Sequence, residues 1–193
     1  MACTALTKGR GLDCNRISGG VNKIYFGVYD QFNDPTNGTG IVVVDSQVTD
    51  IEMGVGTGLY RYTVPRGSTT VSDAIAGSTE NGTIFYTPTV TMVLNKLTKE
   101  EQNEIKLLGQ THVVIFAQLN EQLANGHDVI IALGVANAMS LNAGTADTGA
   151  AFGDRNGYTL TFDGMEPNPF PMVADYTDNP FDNVAFTNVS ITP

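Results

Sequence analysis

The chain has 193 residues, of which 41% are hydrophobic and only 16% charged, and its formal net charge is −10. This length predicts a single domain, and the acidic balance argues against free nucleic-acid binding, which requires clustered basic residues. The 21 glycines and the absence of tryptophan are typical of a turn-rich β protein. Because the charged fraction is lower than a lone soluble domain needs, we expect part of the surface to be buried between subunits.

Charge is distributed unevenly along the chain. Residues 1–23 carry four basic side chains and one acidic one, whereas residues 143–193 carry seven acidic side chains and one arginine. Oppositely charged ends suit head-to-tail contact between copies, although two solvated termini would explain the same pattern.

Two cysteines, Cys3 and Cys14, are too few for a disulfide framework. No apolar stretch of a secretory signal follows Met1, and the longest apolar run, Val129–Leu133, is far too short to span a membrane. We therefore expect a protein made in the cytoplasm, with free thiols and no membrane insertion. A bridge between the two cysteines would require an oxidising compartment.

The first half of the chain indicates an arm followed by strands. Met1–Gly20 shows no consistent period and predicts an N-terminal arm. Aromatic and β-branched residues then predict strands at Val21–Asp30, Ile41–Asp45, Gln47–Met53, Leu59–Val64 and Thr69–Ile75.

The longest predicted strand is Thr83–Leu94. Pro88 lacks a backbone donor, which predicts a sheet edge or a bulge at that position. Alternation places five apolar residues on one face and three threonines on the other: Ile84, Tyr86, Val90, Met92 and Leu94 against Thr87, Thr89 and Thr91.

One helix is predicted, at Lys99–Leu108. Thr98 is a suitable N-cap, Glu101 completes a capping box, and Gly109 is a natural stop. Further strands are predicted at Thr111–Gln118, His127–Leu133 and Ala136–Asn142.

The sharpest local pattern lies near the C-terminus. Asn156-Gly157 is a strong hairpin signal. The next residues alternate strictly, with Tyr158, Leu160 and Phe162 on one face and Thr159, Thr161 and Asp163 on the other. After Gly164 the chain becomes rich in proline and predicts an extended arm, in which Val184–Ile191 could add a strand.

Together these elements predict a mainly β fold, an antiparallel β-sandwich or barrel with one short flanking α-helix. Four Asn-Gly turns, the first at Asn37-Gly38, and roughly eight strands support it. We see no internal repeat and no interdomain linker. The predicted organisation is an N-terminal assembly arm (1–20), a β-domain (21–164) and a C-terminal arm (165–193).

No motif predicts catalysis, a cofactor or a metal site. His112 and His127 fall on different predicted strands, and neither has the short spacing to a second ligand that zinc sites show. Asp50 and Glu52 share a strand face and could form a glycosidase dyad, although an exposed acidic face explains them as well. We therefore expect that the protein is not an enzyme.

Three stretches of the chain, in this order, carry a family resemblance: ALTKGRGLDCNRISGGV at Ala5–Val21, the strand–helix–strand run within Thr83–Phe116, and GAAFGDRNGYTLTFDGMEP at Gly149–Pro167. The middle run includes TVTMVLNKLTKEEQNEIKLLG and THVVIF. Together they resemble the tail tube proteins of tailed bacteriophages.

The resemblance implies a structural virion protein. Such proteins have a β-sandwich or barrel flanked by a helix, and their copies form hexameric rings whose inner strands close a continuous β-lumen. Closure removes sheet edges that would otherwise bind other chains. The rings stack into a tube that carries linear double-stranded DNA into the host.

The resemblance also implies partners and a location. The chain would bind itself, the tail tip or baseplate, the tail terminator and, in a contractile tail, a sheath. DNA would pass without specific binding, because an acidic or neutral wall avoids the counterion-release affinity that would stall it. Assembly would take place in the bacterial cytoplasm, and the product would be the virion tail.

Candidate site residues follow from this picture. Segments Met1–Gly20, Gln47–Ser68 and Met165–Pro193 are candidates to join successive rings. The candidate inter-ring contacts are Lys8, Arg10, Arg16, Tyr60 and Arg61. The candidate lumen residues are Asp50, Glu52, Thr87, Thr89 and Thr91.

A second function class stays open at this point. A carbohydrate- or receptor-binding β-sandwich module of a virion or adhesin would have a similar composition. It would need an exposed aromatic platform, for which the pair Tyr60 and Tyr62 is the candidate.

Overall fold

The computed structural model describes residues 9–11, 18–32 and 40–193. In these residues the fold is mainly β, as predicted, with two sheets and two helices. The strands are β1 (Val21–Val28), β2 (Ile41–Val44), β3 (Gln47–Glu52), β4 (Leu59–Thr63), β5 (Thr70–Ser78), β6 (Thr83–Asn95), β7 (Val113–Gln122), β8 (Asp128–Leu133), β9 (Ser140–Asp147), β10 (Gly157–Asp163), β11 (Met172–Val173), β12 (Phe186–Thr187) and β13 (Ile191–Thr192). The helices are α1 (Tyr29–Phe32) and α2 (Lys99–Leu108). Both cysteines and the Asn37-Gly38 turn lie outside the described residues.

A nine-stranded sheet, the large sheet, forms the centre of the molecule. Its order is β12-β3-β11-β8-β7-β1-β4-β13, with β2 paired to β3. Residues 113–118 of β7 and 129–133 of β8 are buried without interruption. Continuous burial of this kind is expected where a strand is covered on both faces, and the large sheet has a hydrophobic core on each side.

The first core lies between the large sheet and a four-stranded sheet, the small sheet. The small sheet is antiparallel throughout, in the order β5-β6-β10-β9. Its alternating strands turn Val90, Met92 and Leu160 inward, where they join Phe26 and Ile115 of the large sheet. The structure thus confirms the alternation predicted for β6 and β10.

The second core covers the opposite face of the large sheet and includes the C-terminal segment, residues 165–193. Phe181 is only 5% exposed, and its ring packs edge-on against the rings of Tyr25 and Phe116 at 5.0 and 5.1 Å. Phe181 has a φ of 66°, which bulky residues rarely adopt. Ring packing in this core therefore outweighs the local backbone strain.

The segment predicted as a C-terminal arm packs along the large sheet and supplies three of its strands. The two-residue strand β11 lies between β3 and β8. Within the described residues, the β2–β3 hairpin pairs with the rest of the fold through β11 and β12 alone.

Helix α2 has the predicted bounds. Thr98 Oγ1 accepts a hydrogen bond from the Glu101 amide at 3.1 Å, so half of the expected capping box is in place. Ile105 and Leu108 pack against the first core, Ile105 beside β9 and Leu108 beside Tyr62.

The sequence did not predict helix α1, because the expected strand Val21–Asp30 included the first two residues of this helix. The strand ends at Val28 because the chain turns back and places Phe32 beneath it. A Cβ on Gly27 would lie 2.4 Å from the Phe32 ring. Glycine is therefore required where the ring crosses the strand.

Two other local predictions need correction. The strand expected at Ala136–Asn142 begins only at Ser140, because turns with positive φ at Gly134 and Ala138 precede it. Pro88 is not on an edge strand, since β6 lies between β5 and β10. The β6–β10 ladder instead stops beside Pro88, which accepts a hydrogen bond from the Gly164 amide at 3.2 Å and has no N–H to return.

Candidate assembly interface

The outer face of the small sheet, which we call the hydroxyl face, is an open surface with little charge. Its strands contribute two carboxylates, Asp147 and Asp163, and no basic side chain. The guanidinium of Arg155 reaches in from the adjoining loop and donates to Thr159 Oγ1 at 2.8 Å. The hydroxyl side chains are Thr70, Ser72, Ser78, Thr83, Thr87, Thr89, Thr91, Ser140, Thr145, Thr159 and Thr161.

Both outer strands of the small sheet, β5 and β9, have an edge with no strand partner among the described residues. Tyr86 and Glu166 exchange both of their backbone hydrogen bonds, at 2.8 Å each. Backbone bonding alternates along an antiparallel strand, so even-numbered residues of β6 bond toward β10 and odd-numbered ones toward β5.

Extending this alternation outward identifies the free backbone groups. On β5 the amides and carbonyls of residues 71, 73, 75 and 77 point away from the sheet, and on β9 those of residues 144 and 146 do so. No backbone hydrogen bond to these outward groups occurs within the described residues. Two free edges of this length are a template for pairing with another chain.

The far end of the β5–β6 hairpin extends beyond the first core. Ile75 is 70% exposed and Ile84 is 62% exposed, although both point to the inner side of the sheet. Glu80 lies in the turn that joins the two strands. The hairpin end therefore presents apolar side chains that the described residues of its own chain do not cover.

An open groove runs between α2 and the free edge of β9 and has a volume of about 400 Å³. Ile105 and Lys106 of the helix form one wall, and Leu141, Gly144 and Ala146 belong to the strand side. Sequence reasoning missed both this groove and Ile75. The available signal was a glycine inside a strand, which often marks close approach of another backbone.

The structure does not bring the candidate lumen residues together. Thr87, Thr89 and Thr91 lie side by side on the hydroxyl face. Asp50 and Glu52 belong to β3 of the large sheet. One carboxylate oxygen of Asp50 is buried and has no hydrogen-bond partner within the described residues.

The candidate inter-ring residues are only partly described. Arg10, Tyr60 and Arg61 are exposed, the last two on β4. Lys8 and Arg16 lie outside the described residues.

The tyrosine pair does not form an aromatic platform. Tyr60 is 45% exposed. Tyr62 packs edge-on against Phe26 at 5.2 Å and belongs to the border of the first core. Both rings line a cleft of about 210 Å³ against α2, with Leu107 and Leu108 on the other side.

Glu166 connects the small sheet to the turn after β8, and Asp73 of β5 lies near it and accepts a hydrogen bond from the Phe170 amide. Glu166 is 8% exposed, and its carboxylate accepts hydrogen bonds from the amides of Ala136 and Asn137 at 3.0 and 2.9 Å. Burial raises the pKa of Glu166, and the nearby charge of Asp73 raises it further. Burial also raises the pKa of Asp73. Since both oxygens of Glu166 hold backbone amides, we interpret it as structural.

His127 belongs to a surface cluster that holds the C-terminal segment. Its ring lies 2.8 Å from an Asp175 carboxylate oxygen and stacks on Tyr176 at 4.5 Å. Asn125 donates to the same carboxylate at 2.5 Å. The hydrogen bond from His127 is the main cause that lowers the pKa of Asp175. The other histidine, His112, contacts Ser140 Oγ at 3.0 Å on a different part of the surface.

Two absences hold for the part of the chain that the structure describes. No group of three or more His, Cys, Asp or Glu side chains in that part of the chain is arranged to hold a metal ion. None of the helices in it has the length and hydrophobicity needed to cross a membrane.

No protein-family model, no curated protein and no solved structure matches this chain. The resemblance to tail tube proteins therefore rests on the three sequence stretches described above, and the small sheet is the structural feature that bears on function.

Proposed function

We propose that this protein is the tail tube protein of a tailed bacteriophage or of a phage-derived injection device. Copies would pair edge to edge through their small sheets into hexameric rings, and the rings would stack into a conduit for double-stranded DNA. The observation that carries the proposal is the small sheet itself, with an apolar inner face, an open hydroxyl face and two free edges.

The strand directions suit a closed ring. Neighbouring strands of the small sheet alternate in direction, so the first and last of its four strands are antiparallel to each other. In a head-to-tail ring, β9 of one copy would meet β5 of the next as an antiparallel pair. Such heterologous contacts close into rings when the rotation between copies is right.

The resulting barrel would be wide enough for DNA. Six copies would make a barrel of about 24 strands, and barrels of roughly 16–18 strands already leave an aqueous channel. With strands about 4.8 Å apart and tilted by roughly 40°, the backbone diameter would be about 48 Å. The hydroxyl face would line this channel.

The chemistry of the hydroxyl face suits passage of DNA. A polyanion binds where basic side chains release its counterions, and the strands of this face contribute two carboxylates and no basic residue. Hydroxyl groups keep the wall wet without a net positive charge. The proposed role is therefore a passive wall.

Electron microscopy of edge variants tests the proposal. Ala146 has its amide on the free edge of β9, so Ala146→Pro leaves the hydrogen bonds of the monomer intact and blocks pairing with another copy. The matched control Ala146→Ser keeps the amide. We expect rings or tubes from the wild type and the control, and folded monomers from the proline variant.

Two outcomes would contradict the proposal. One is a wild-type protein that stays monomeric at every concentration, including after addition of isolated tail tips as initiators. The other is a proline variant that assembles as readily as Ala146→Ser.

A further inference from the structure

The free edges of the small sheet differ in shape as well as in position. On the inner side, β5 carries the projecting side chain of Ile75, 70% exposed. On the same side, β9 carries Gly144, which has no side chain and lines the groove beside α2. A Cβ on Gly144 would lie 3.1 Å from Leu160 Cδ2, so the open space at this edge is the groove beside Gly144, between β9 and α2. One edge thus has a protrusion, and the other borders a groove.

We propose that Ile75 of one copy fills the groove beside Gly144 of the next copy and thereby sets the register of the ring. This inference rests on the proposed function and adds the residues that determine how two copies align. The occupant of the groove is a second copy of this chain, through the end of its β5–β6 hairpin.

The backbone geometry permits this pair. The amide and carbonyl groups of Ile75 and Gly144 both point outward from their own sheets, so the two residues can exchange both hydrogen bonds as a directly opposed antiparallel pair. Their side-chain positions both lie on the inner face, as directly opposed residues must. A slip by one residue would turn Ile75 to the opposite face, so only two-residue slips compete with this register.

The register gives long overlap of the two strands. With Ile75 opposite Gly144, residues 72–78 of β5 face residues 147–141 of β9, which covers nearly the whole of β9. Moving the pairing by two residues to place Ile75 opposite Ala146 would leave fewer opposed residues. Moving the pairing two residues the other way would oppose residues 70–77 to residues 147–140, but it would place Ile75 opposite Asn142, the bulged residue of β9 that has no partner on β10.

Charge at the groove favours the same occupant. Lys106 lines the groove, and the end of α2 lies near Leu141, since a Cβ on Gly109 would be 4.0 Å from Leu141 Cδ2. In the proposed register the hairpin turn with Glu80 extends past Leu141 toward this end. Glu80 would therefore come near Lys106, a charge complementarity that helps to fix register.

The groove also has a suitable interior. Its floor includes Tyr158 and Leu160, which are buried, and Ile105 and Leu141 at its sides are partly exposed. Filling it with Ile75 removes apolar surface of both copies from water. A shorter side chain at residue 75 should weaken ring closure without changing the fold.

Disulfide crosslinking tests the register directly. In the proposed pairing Ala74 faces Thr145 on the hydroxyl face, as a non-hydrogen-bonded pair with Cα atoms about 4.5 Å apart, which lies within the range for a disulfide. The variant Ala74→Cys/Thr145→Cys is made in a background with Cys3→Ser and Cys14→Ser. We expect a reducible ladder of covalent multimers that ends at the closed ring.

The control moves one cysteine by two residues along the same face. Ala76→Cys/Thr145→Cys should give little crosslink, because its Cα atoms would be about 7–8 Å apart. A second measurement is the concentration needed for assembly, which Ile75→Ala should raise at least about tenfold and Ile75→Val much less.

The possible failures are distinguishable. The register would be overturned, and the proposed function left in place, by either of two results. One is rings that crosslink only through Ala76→Cys/Thr145→Cys, and the other is rings that form as readily with Ile75→Ala as in the wild type. Absence of rings and of crosslinks with both pairs would overturn the register and the proposed function together.

Discussion

The large sheet is covered on both faces, whereas the small sheet is covered on one. β7 and β8 have uninterrupted buried runs, with one core toward the small sheet and another beneath the C-terminal segment. β6 and β10 alternate between buried apolar residues and threonines that face outward. The two sheets share one core and differ in what lies on their other side.

This difference assigns separate roles to the two sheets. A sheet with cores on both sides draws its stability from its own chain, and the exposed apolar side chains of the large sheet lie mainly on its peripheral strand β2, at Val42, Val43 and Val44. A sheet with an open face and free edges keeps backbone groups and apolar side chains available. We therefore infer that the large sheet supports the fold and the small sheet forms contacts between copies.

The largest expected effect is a mutation that opens the second core. Phe116 is fully buried and packs against Phe32 and Phe181. Phe116→Ala should lower the free energy of unfolding by about 3–5 kcal/mol. On the hydroxyl face, Thr161→Ala should cost less than about 1 kcal/mol, because it removes only a weak 3.4 Å contact with Thr91.

Urea unfolding should be measured in the Ala146→Pro background, where assembly does not add to apparent stability. Equal losses of unfolding free energy for Phe116→Ala and Thr161→Ala would contradict the inference that the large sheet supports the fold and the small sheet forms contacts between copies.

The second prediction concerns the open face in the assembled tube. Thr89→Lys places one cation per copy in the centre of the hydroxyl face. Assembled tubes of this variant should retain short duplex DNA at low salt. The logarithm of the binding constant should fall linearly with the logarithm of the salt concentration, with a slope of roughly −0.9 for each phosphate contacted. Wild-type tubes should not retain it.

A matched control adds the same charge elsewhere. Asn103 is exposed on α2 and does not line the groove against β9, so Asn103→Lys should leave DNA retention at the wild-type level. Thr89→Lys tubes that behave like this control would mean that the hydroxyl face does not line the channel.

Local patterns were enough to predict several elements of the fold. The bounds of α2 follow from a cap and a stop, both of which act within a few residues. The faces of β6 and β10 follow from strict alternation along a strand that is half covered.

The second core and the free edges could not be predicted in the same way. Phe181 follows no period, and strands β11 to β13 are two residues each, too short to show alternation. Whether a strand is an edge depends on which strands pair with it, and nothing in the local sequence of β5 or β9 records that. For the same reason Asp50 and Thr89 were grouped together, although they lie in different sheets.

The smallest expected effect concerns Glu166, which joins the two regions by its backbone bridge to Tyr86 and its hydrogen bonds to the turn after β8. Burial raises its pKa above the ordinary value of 4.5. The folded state then binds the proton more tightly than the unfolded state, so this group contributes stability that is present below about pH 4.5 and is lost as pH rises through the raised pKa.

In Glu166→Gln this loss of stability with rising pH should disappear. The double variant Asp73→Asn/Glu166→Gln should show the smallest change of unfolding free energy with pH, because the pKa of Asp73 is raised in the same direction. Urea unfolding at half-unit steps from pH 4 to 7 measures the slopes, and identical slopes for the wild type and Glu166→Gln would show that the carboxyl group does not link the sheets through its charge.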